Sequence, residues 1–193
     1  MKILAINTSP RKGGNTDILI DKALRGAREE GAKIEKVYVN DLKIKPCQEC
    51  AVVRKDGICR VKDDFQGLFK KIMACDGLII GTPVFFGSVS AQAKIMIDRF
   101  QCHWLYQNVF TKKGANFPRR RPAALLTVQA TRRKEFSANA IRALRNFLAA
   151  ARFAPAAEIC AKGVERKKEI LKRKKYLDSA RGAGKKLARK ALT

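Results

Sequence analysis

The strongest constraint on this chain lies at its amino end. Lys2-Ile3-Leu4-Ala5-Ile6 is a short, branched, apolar run that reads as a buried parallel strand. Ile18, Leu19, Ala23, Leu24 and Ala27 then recur with the spacing of one helix face. Between them, Asn7-Thr8-Ser9-Pro10-Arg11-Lys12-Gly13-Gly14-Asn15-Thr16 must carry the chain from the carboxyl end of a strand into the start of a helix. Such a corner binds anions, because unpaired backbone N–H groups and the positive end of the helix dipole converge on one point. Ser9, Asn15 and Thr16 add side-chain donors, and Arg11 adds a planar fork suited to phosphate. Gly13 and Gly14 let the backbone approach closely. An ordinary capped helix after a turn would also use Asn15 or Thr16. No Lys-Ser or Lys-Thr follows the glycines, so this is not a Walker A loop, and Gly-x-Gly-x-x-Gly is absent too. A hydroxyl-rich cradle for a single phosphate remains.

The alternation of strand and helix continues along the chain. Strands are expected at Lys2–Asn7, Ala32–Val39, Gly77–Gly81, Ala123–Gln129 and Ala156–Ala161. Helices are expected at Asn15–Gly31, from a cap at Asp63 or Asp64 through Ala74, from Ser88 or Ser90 to about Phe100, and over Lys134–Ala151. Residues 41–62 read as an irregular loop and 101–121 as a long connection; a basic helix runs from Gly163 to the end, broken near Gly182. No repeat and no linker divides the 193 residues, so one domain, 1–193, is expected. Repeated strand–helix units imply a parallel sheet with helices on both faces. Ligands of such sheets sit beyond the carboxyl ends of the strands, where strand order switches.

The loop after the third strand belongs at the same sheet edge. Gly81-Thr82-Pro83-Val84-Phe85-Phe86-Gly87-Ser88 is apolar and aromatic, bracketed by Pro83 and Gly87. A phosphate cradle beside an apolar slot suits a flat hydrophobic ring that carries a phosphate, and flavin mononucleotide fits that description. With these residues in place, the chain resembles the NADPH-dependent FMN reductase family of the flavodoxin-like fold, nearest its iron–sulfur flavoprotein branch. The residues that carry the resemblance are Ser9–Thr16, Pro46-Cys47-Gln48-Glu49-Cys50, Cys59 with Asp63-Asp64, Gly81–Gly87, and Lys94 with Asp98-Arg99.

That resemblance implies a three-layer sandwich around a five-stranded parallel sheet of order 2-1-3-4-5. It implies that Ser9, Arg11, Gly14, Asn15 and Thr16 bind the FMN phosphate, and that Pro83, Val84, Phe85, Phe86 and Gly87 border the ribityl chain and ring. It implies an NADPH or NADH donor, a quinone, other small acceptor or redox protein as electron acceptor, and a homodimer or homotetramer. A third loop usually completes the family's ring site with glycines; here it reads Val128-Gln129-Ala130-Thr131-Arg132-Arg133 and has none. Arg132 or Arg133 could instead meet a pyridine nucleotide phosphate.

Six cysteines remain to be placed. Cys47 and Cys50 form Cys-x-x-Cys, and Cys59 follows nine residues later. The iron–sulfur branch holds a [4Fe–4S] cluster on a compact run of four cysteines, whose third position is Val53 here. Three thiols need an outside ligand for a cluster, and a zinc site needs one as well. His103, the one histidine, is far along the chain. Three readings stay open, in this order: reduced cysteines packed at a subunit contact, a cluster on Cys47, Cys50 and Cys59, and a redox pair of Cys47 and Cys50. Cys75, Cys102 and Cys160 lie in apolar stretches and read as core.

The net charge of +25 is lopsided, about three quarters of it lying beyond residue 110. Such a surface attracts nucleic acid, anionic membrane or phosphorylated ligands. The basic runs Arg119-Arg120-Arg121 and Lys172-Arg173-Lys174-Lys175 lack interleaved aromatics apart from Tyr176, and no zinc-finger spacing accompanies them. A solvated surface is therefore favoured over a nucleic-acid-binding module. No apolar run approaches a membrane span and no secretory leader is evident, so a cytoplasmic protein with reduced thiols and no membrane partner is expected.

Overall fold

The computed structural model describes residues 1–50, 56–109 and 120–192. Strand β1 (Lys2–Asn7) sits inside a parallel sheet, between β2 (Lys33–Tyr38) and β3 (Gly77–Phe85). Beyond β3 lie β5 (Arg121–Gln129) and β6 (Phe153–Lys162), both parallel to it. These five strands have the expected spatial order. The sheet gains a sixth, β4 (Ser88–Val89), which pairs antiparallel with the end of β3. This extra strand exists because β3 continues past Pro83 to Phe85 and turns back through Phe86-Gly87. Both turn residues have positive φ, 48° and 72°, the geometry that twists a two-residue hairpin correctly.

Successive side chains of the strands point to opposite faces and nucleate two cores. Leu4, Ile6, Leu78, Ile80, Ala123 and Leu125 face one way. They pack on α2 (Phe65–Ala74), α3 (Ala91–Arg99), α4 (Gln101–Val109) and α5 (Lys134–Ala150). Ile3, Ala5, Ile79, Ala124 and Leu126 face the other way, onto α1 (Asn15–Glu29) and α6 (Lys174–Leu192). Helices α1 and α6 cross where both lack a side chain. A Cβ on Gly26 would lie 2.0 Å from the Arg181 carbonyl oxygen, and one on Gly184 would lie 1.8 Å from that of Ala23.

Several boundaries differ from expectation, each for a local reason. Ser90, rather than Ser88, caps α3, its Oγ accepting from Ala93 N at 3.2 Å. Asp63 supplies the side-chain cap of α2: Phe65 N donates to its Oδ1, and its own N donates to Gln66 Oε1, a reciprocal capping box. The connection after Phe100 begins as α4 instead of a loop, while 110–119, including Phe110 and Arg119, lie outside the described residues. Strand β6 starts earlier, at Phe153, with a bulge where Ala123 and Ala124 meet it. The final helix starts at Lys174, not Gly163. Gly163 and Lys168 take positive φ, and a short 3-10 helix spans Glu169–Lys172, so this segment turns instead of winding into the helix. Gly182 faces open space and α6 runs through it unbroken.

Part of the basic surface is structural. The Arg121 guanidinium donates to the carbonyls of Ile72, Met73 and Cys75 and stacks 4.1 Å above the Phe153 ring. Arg181 and Lys185 pair with Glu29, and Arg189 pairs with Glu30, joining α6 to the end of α1. No described helix is long and apolar enough to cross a membrane.

Candidate functional site

Residues from four loops meet at the carboxyl ends of β1, β3, β5 and β6. They line a cleft of about 280 Å³. The first loop supplies Ser9, Arg11, Gly14, Asn15 and Thr16, the β3 end supplies Pro83, Val84 and Phe85, and β5 supplies Val128, Gln129 and Ala130. The loop after β6 adds Val164, Glu165 and Lys167.

The first loop is held open by its own side chains. Gly13 adopts φ 66°, and its N–H donates to Asp17 Oδ2 at 2.7 Å. Lys36 Nζ and Tyr38 Oη donate to the same carboxylate. Burial pushes the Asp17 carboxyl up, but the Gly13 N–H, Lys36 and Tyr38 outweigh it and leave it below its ordinary range. Ser9 Oγ accepts from Arg11 N at 3.2 Å. A Cβ on Gly14 would stand 2.9 Å from the Arg11 carbonyl oxygen, so the tight turn depends on its absence. Helix α1 has no side-chain cap, which leaves its leading N–H groups directed at the cleft.

Asn15 has a second task. Its Nδ2 donates to the Arg166 carbonyl at 2.8 Å and its Oδ1 accepts from Ile170 N at 3.1 Å, so its side chain pins the loop after β6. Its contribution to an anion is then its backbone N–H. A buried hydroxyl network joins the first two loops: Thr8 Oγ1 donates to the Gly81 carbonyl, Ser90 Oγ to the Thr8 carbonyl, and Ser90 N to Thr82 Oγ1.

Phe86 and Gly87 do not line the cleft. Phe86 projects fully into solvent at the hairpin tip, and Gly87 packs against Phe136. Arg132 packs beside Gly163 and Arg133 precedes α5; neither lines the cleft. Sequence reasoning missed Asp17, Glu165, Lys167 and the part played by Gln129. Gln129 Nε2 donates to the carbonyls of Thr131 and Arg133, while its buried Oε1 has no partner among the described residues. A basic cavity of about 600 Å³ adjoins the cleft, shares Lys167 with it and adds Arg166, Lys168 and Lys172.

Residues 1–162 match the sequence profile of the family described as NADPH-dependent FMN reductase. The chain belongs to the NADPH-dependent FMN reductase family. An iron–sulfur flavoprotein of Methanocaldococcus jannaschii is 41% identical over 99 residues, which is 51% of this chain and 51% of that protein. The chain thus spans about half the length of the curated relatives it matches. Among solved structures, a flavone reductase superposes with TM-score 0.76 at 20% identity, covering all of this chain and 63% of the other. An NAD(P)H:quinone oxidoreductase from Methanothermobacter marburgensis gives TM-score 0.69 at 16% identity, covering 97% and 96%. Likeness at that identity establishes the fold, which is flavodoxin-like.

In this FMN reductase family member the cysteine loop lines a further cavity, of about 620 Å³. Cys47, Cys50 and Cys59 line it together with Cys102 from α4. Buried Arg99 organises the loop. Its guanidinium pairs with Asp63 at 2.7 Å, donates to the carbonyls of Lys45 and Val61, and donates from Nε to Cys59 Sγ at 3.1 Å. Burial, and then the neighbouring thiols of Cys59, Cys50 and Cys47, push Cys102 up to about 12. Among the described residues no three His, Cys, Asp or Glu are grouped to hold a single metal ion. His103 does not join this cavity; its ring packs edge-on to Phe69 and stacks on Tyr106. Cys75 is buried elsewhere and Cys160 lies on β6. Val53 is outside the described residues.

Proposed function

We propose that the chain is an FMN-dependent NAD(P)H oxidoreductase whose electrons pass to a quinone or another small acceptor. The observation that carries this reading is the cleft's two-ended chemistry. One end presents the uncapped start of α1, with Ser9, Arg11 and Thr16, and suits a phosphate. The other presents Pro83, Val84 and Phe85 and suits a flat apolar ring. The unpartnered, buried Gln129 Oε1 supports the fit, because a buried acceptor without a donor is costly unless a ligand supplies one. Bound FMN would supply the hydride and electron chemistry.

The protein's own part is to bind and orient. Leading N–H groups of α1 and Arg11 hold the phosphate, with Asp17 keeping Gly13 in place. Phe85 and Pro83 exclude water from one side of the ring. The adjoining cavity, where Arg166, Lys167, Lys168 and Lys172 outnumber Glu165 and Glu169, draws in an anionic dinucleotide, the role first expected of Arg132 or Arg133. We read the chain as one domain, cytoplasmic, and assembled as a homodimer or homotetramer.

A second reading, an iron–sulfur flavoprotein-type electron carrier, is favoured by the four thiols that line one cavity. An anaerobic visible spectrum recorded before and after addition of NADPH tests the first. Flavin bands that bleach support the reductase. Flavin bands that NADPH leaves unchanged favour the carrier. A colourless protein that fails to take up added FMN overturns both.

A further inference from the structure

We propose that Cys102 of α4 is the fourth thiolate of a [4Fe–4S] site completed by Cys47, Cys50 and Cys59. Three of these thiols come from the loop between β2 and α2, and the fourth comes from a helix that follows it by four tens of residues. The fold, not sequence spacing, brings them to one cavity.

The donor set fits the group. Four-iron clusters are held by four thiolates, and the cavity's lining contains four. A single ion requires ligands drawn to within about 2.3 Å of one point, which these residues do not offer. A cluster spaces its thiolates farther apart, and a volume of about 620 Å³ accommodates that. Cys59 Sγ already accepts a hydrogen bond from Arg99 Nε, and such bonds to ligand sulfur are what protein frameworks use to orient and tune a cluster. The arginine also places a positive charge beside a group that is negative once four thiols have lost their protons. On binding, each thiol gives up one proton to solvent; two ferrous ions, two ferric ions and four sulfides then complete the cluster with no net electron transfer. Lys94 and Asp98, paired with each other at 2.8 Å, also line the cavity, and they offer no sulfur.

The inference deepens the electron-carrier reading and does not rest on flavin binding. The test loads the full chain anaerobically with equal ferrous and ferric iron plus sulfide, then assays iron and acid-labile sulfide chemically. Flavin is measured separately, by fluorescence after release. The wild-type chain is expected to hold about four iron and four sulfide with a broad visible absorbance. Cys102→Ser is expected to lose most of both, with its urea midpoint and flavin content little changed. Cys47→Ser, at a half-buried loop position outside both core clusters, is expected to behave alike, with its urea midpoint checked in the same way. Cys75→Ser is expected to load as wild type. Equal loading of Cys102→Ser and wild type overturns the assignment. So does wild-type protein that takes up no sulfide-bearing iron, whatever its flavin content.

Discussion

The cleft beyond β1, β3 and β5 and the thiol-lined cavity beside α4 hang on one sheet, but they are assembled from different materials. The cleft is mostly backbone. Its shape comes from loops whose residues are contiguous, held by local bonds such as Gly13 N to Asp17 and Arg11 N to Ser9 Oγ. The cavity is side chain. One buried guanidinium, that of Arg99, gathers Lys45, Cys59, Val61 and Asp63 from the chain between β2 and α2. A backbone site tolerates change away from its glycines. A site gathered by one charge depends on that charge.

The largest expected effect breaks the second site. Arg99→Ala leaves the Asp63 carboxylate buried without its partner, and losing one member of such a pair costs about 3–5 kcal/mol. Urea unfolding followed by circular dichroism measures it, and a loss under about 1 kcal/mol would mean that the loop has another anchor. The pH dependence sharpens the same contrast. Burial pushes the Asp63 carboxyl up, but the Arg99 guanidinium and the N–H groups of Lys45 and Phe65 outweigh it, so its folded value is depressed. Stability from this group is therefore complete above about pH 4 and lost as pH falls through the lower folded value. Arg99→Ala should lose most of that acid limb, seen as a flatter midpoint-against-pH curve below about pH 4.

The cleft should respond in binding instead of stability. Gly14→Ala places a methyl 2.9 Å from the Arg11 carbonyl and forces the loop to shift. FMN affinity should fall at least about tenfold, roughly 1.4 kcal/mol, in a fluorescence-quenching titration. The urea midpoint should move less than for Arg99→Ala; a shift as large would erase the distinction between the two sites. The smallest effect is at the hairpin tip. Phe86 holds φ 48° with its ring in solvent, so Phe86→Gly removes backbone strain at no loss of packing. A gain of about 0.5 kcal/mol is expected in thermal unfolding with FMN binding unchanged. A tenfold loss of affinity would place that ring at the ligand after all.

What could be read in the sequence follows the same division. That residues of Ser9–Thr16 and of Pro83–Phe85 share one cleft was legible because each set lies in one short stretch, glycine-bearing or apolar, at the carboxyl end of a strand. That the sheet is parallel followed from the alternation of strand and helix, and its strand order from the resemblance to the flavodoxin-like fold. Glu165 and Lys167 were hidden by a basic run that reads as helix; two residues with positive φ, Gly163 and Lys168, turn it instead. Gln129 was visible, but the absence of glycines around it drew attention away from its orphaned oxygen. Cys102 read as core because its sequence neighbours are apolar, and it is buried in a core cluster; only the docking of α4 shows that it also lines a cavity with three other cysteines. Phe86 and Gly87 looked like ring contacts, and the hairpin they close points them elsewhere.

The match to the family ends at residue 162, yet α6 is no appendage. Its groove on α1 is cut by two missing side chains, those of Gly26 and Gly184, and its removal would strip Ala180, Ala183, Leu187 and Ala188 from the core cluster that they share with α1 and the sheet. A chain stopped at the family boundary would thus be a fold with one wall open, prone to stick to its neighbours. The same groove gives the wall an address. Supplied as a separate peptide, the last helix has a notch to return to, and the molecule could be rebuilt from two pieces.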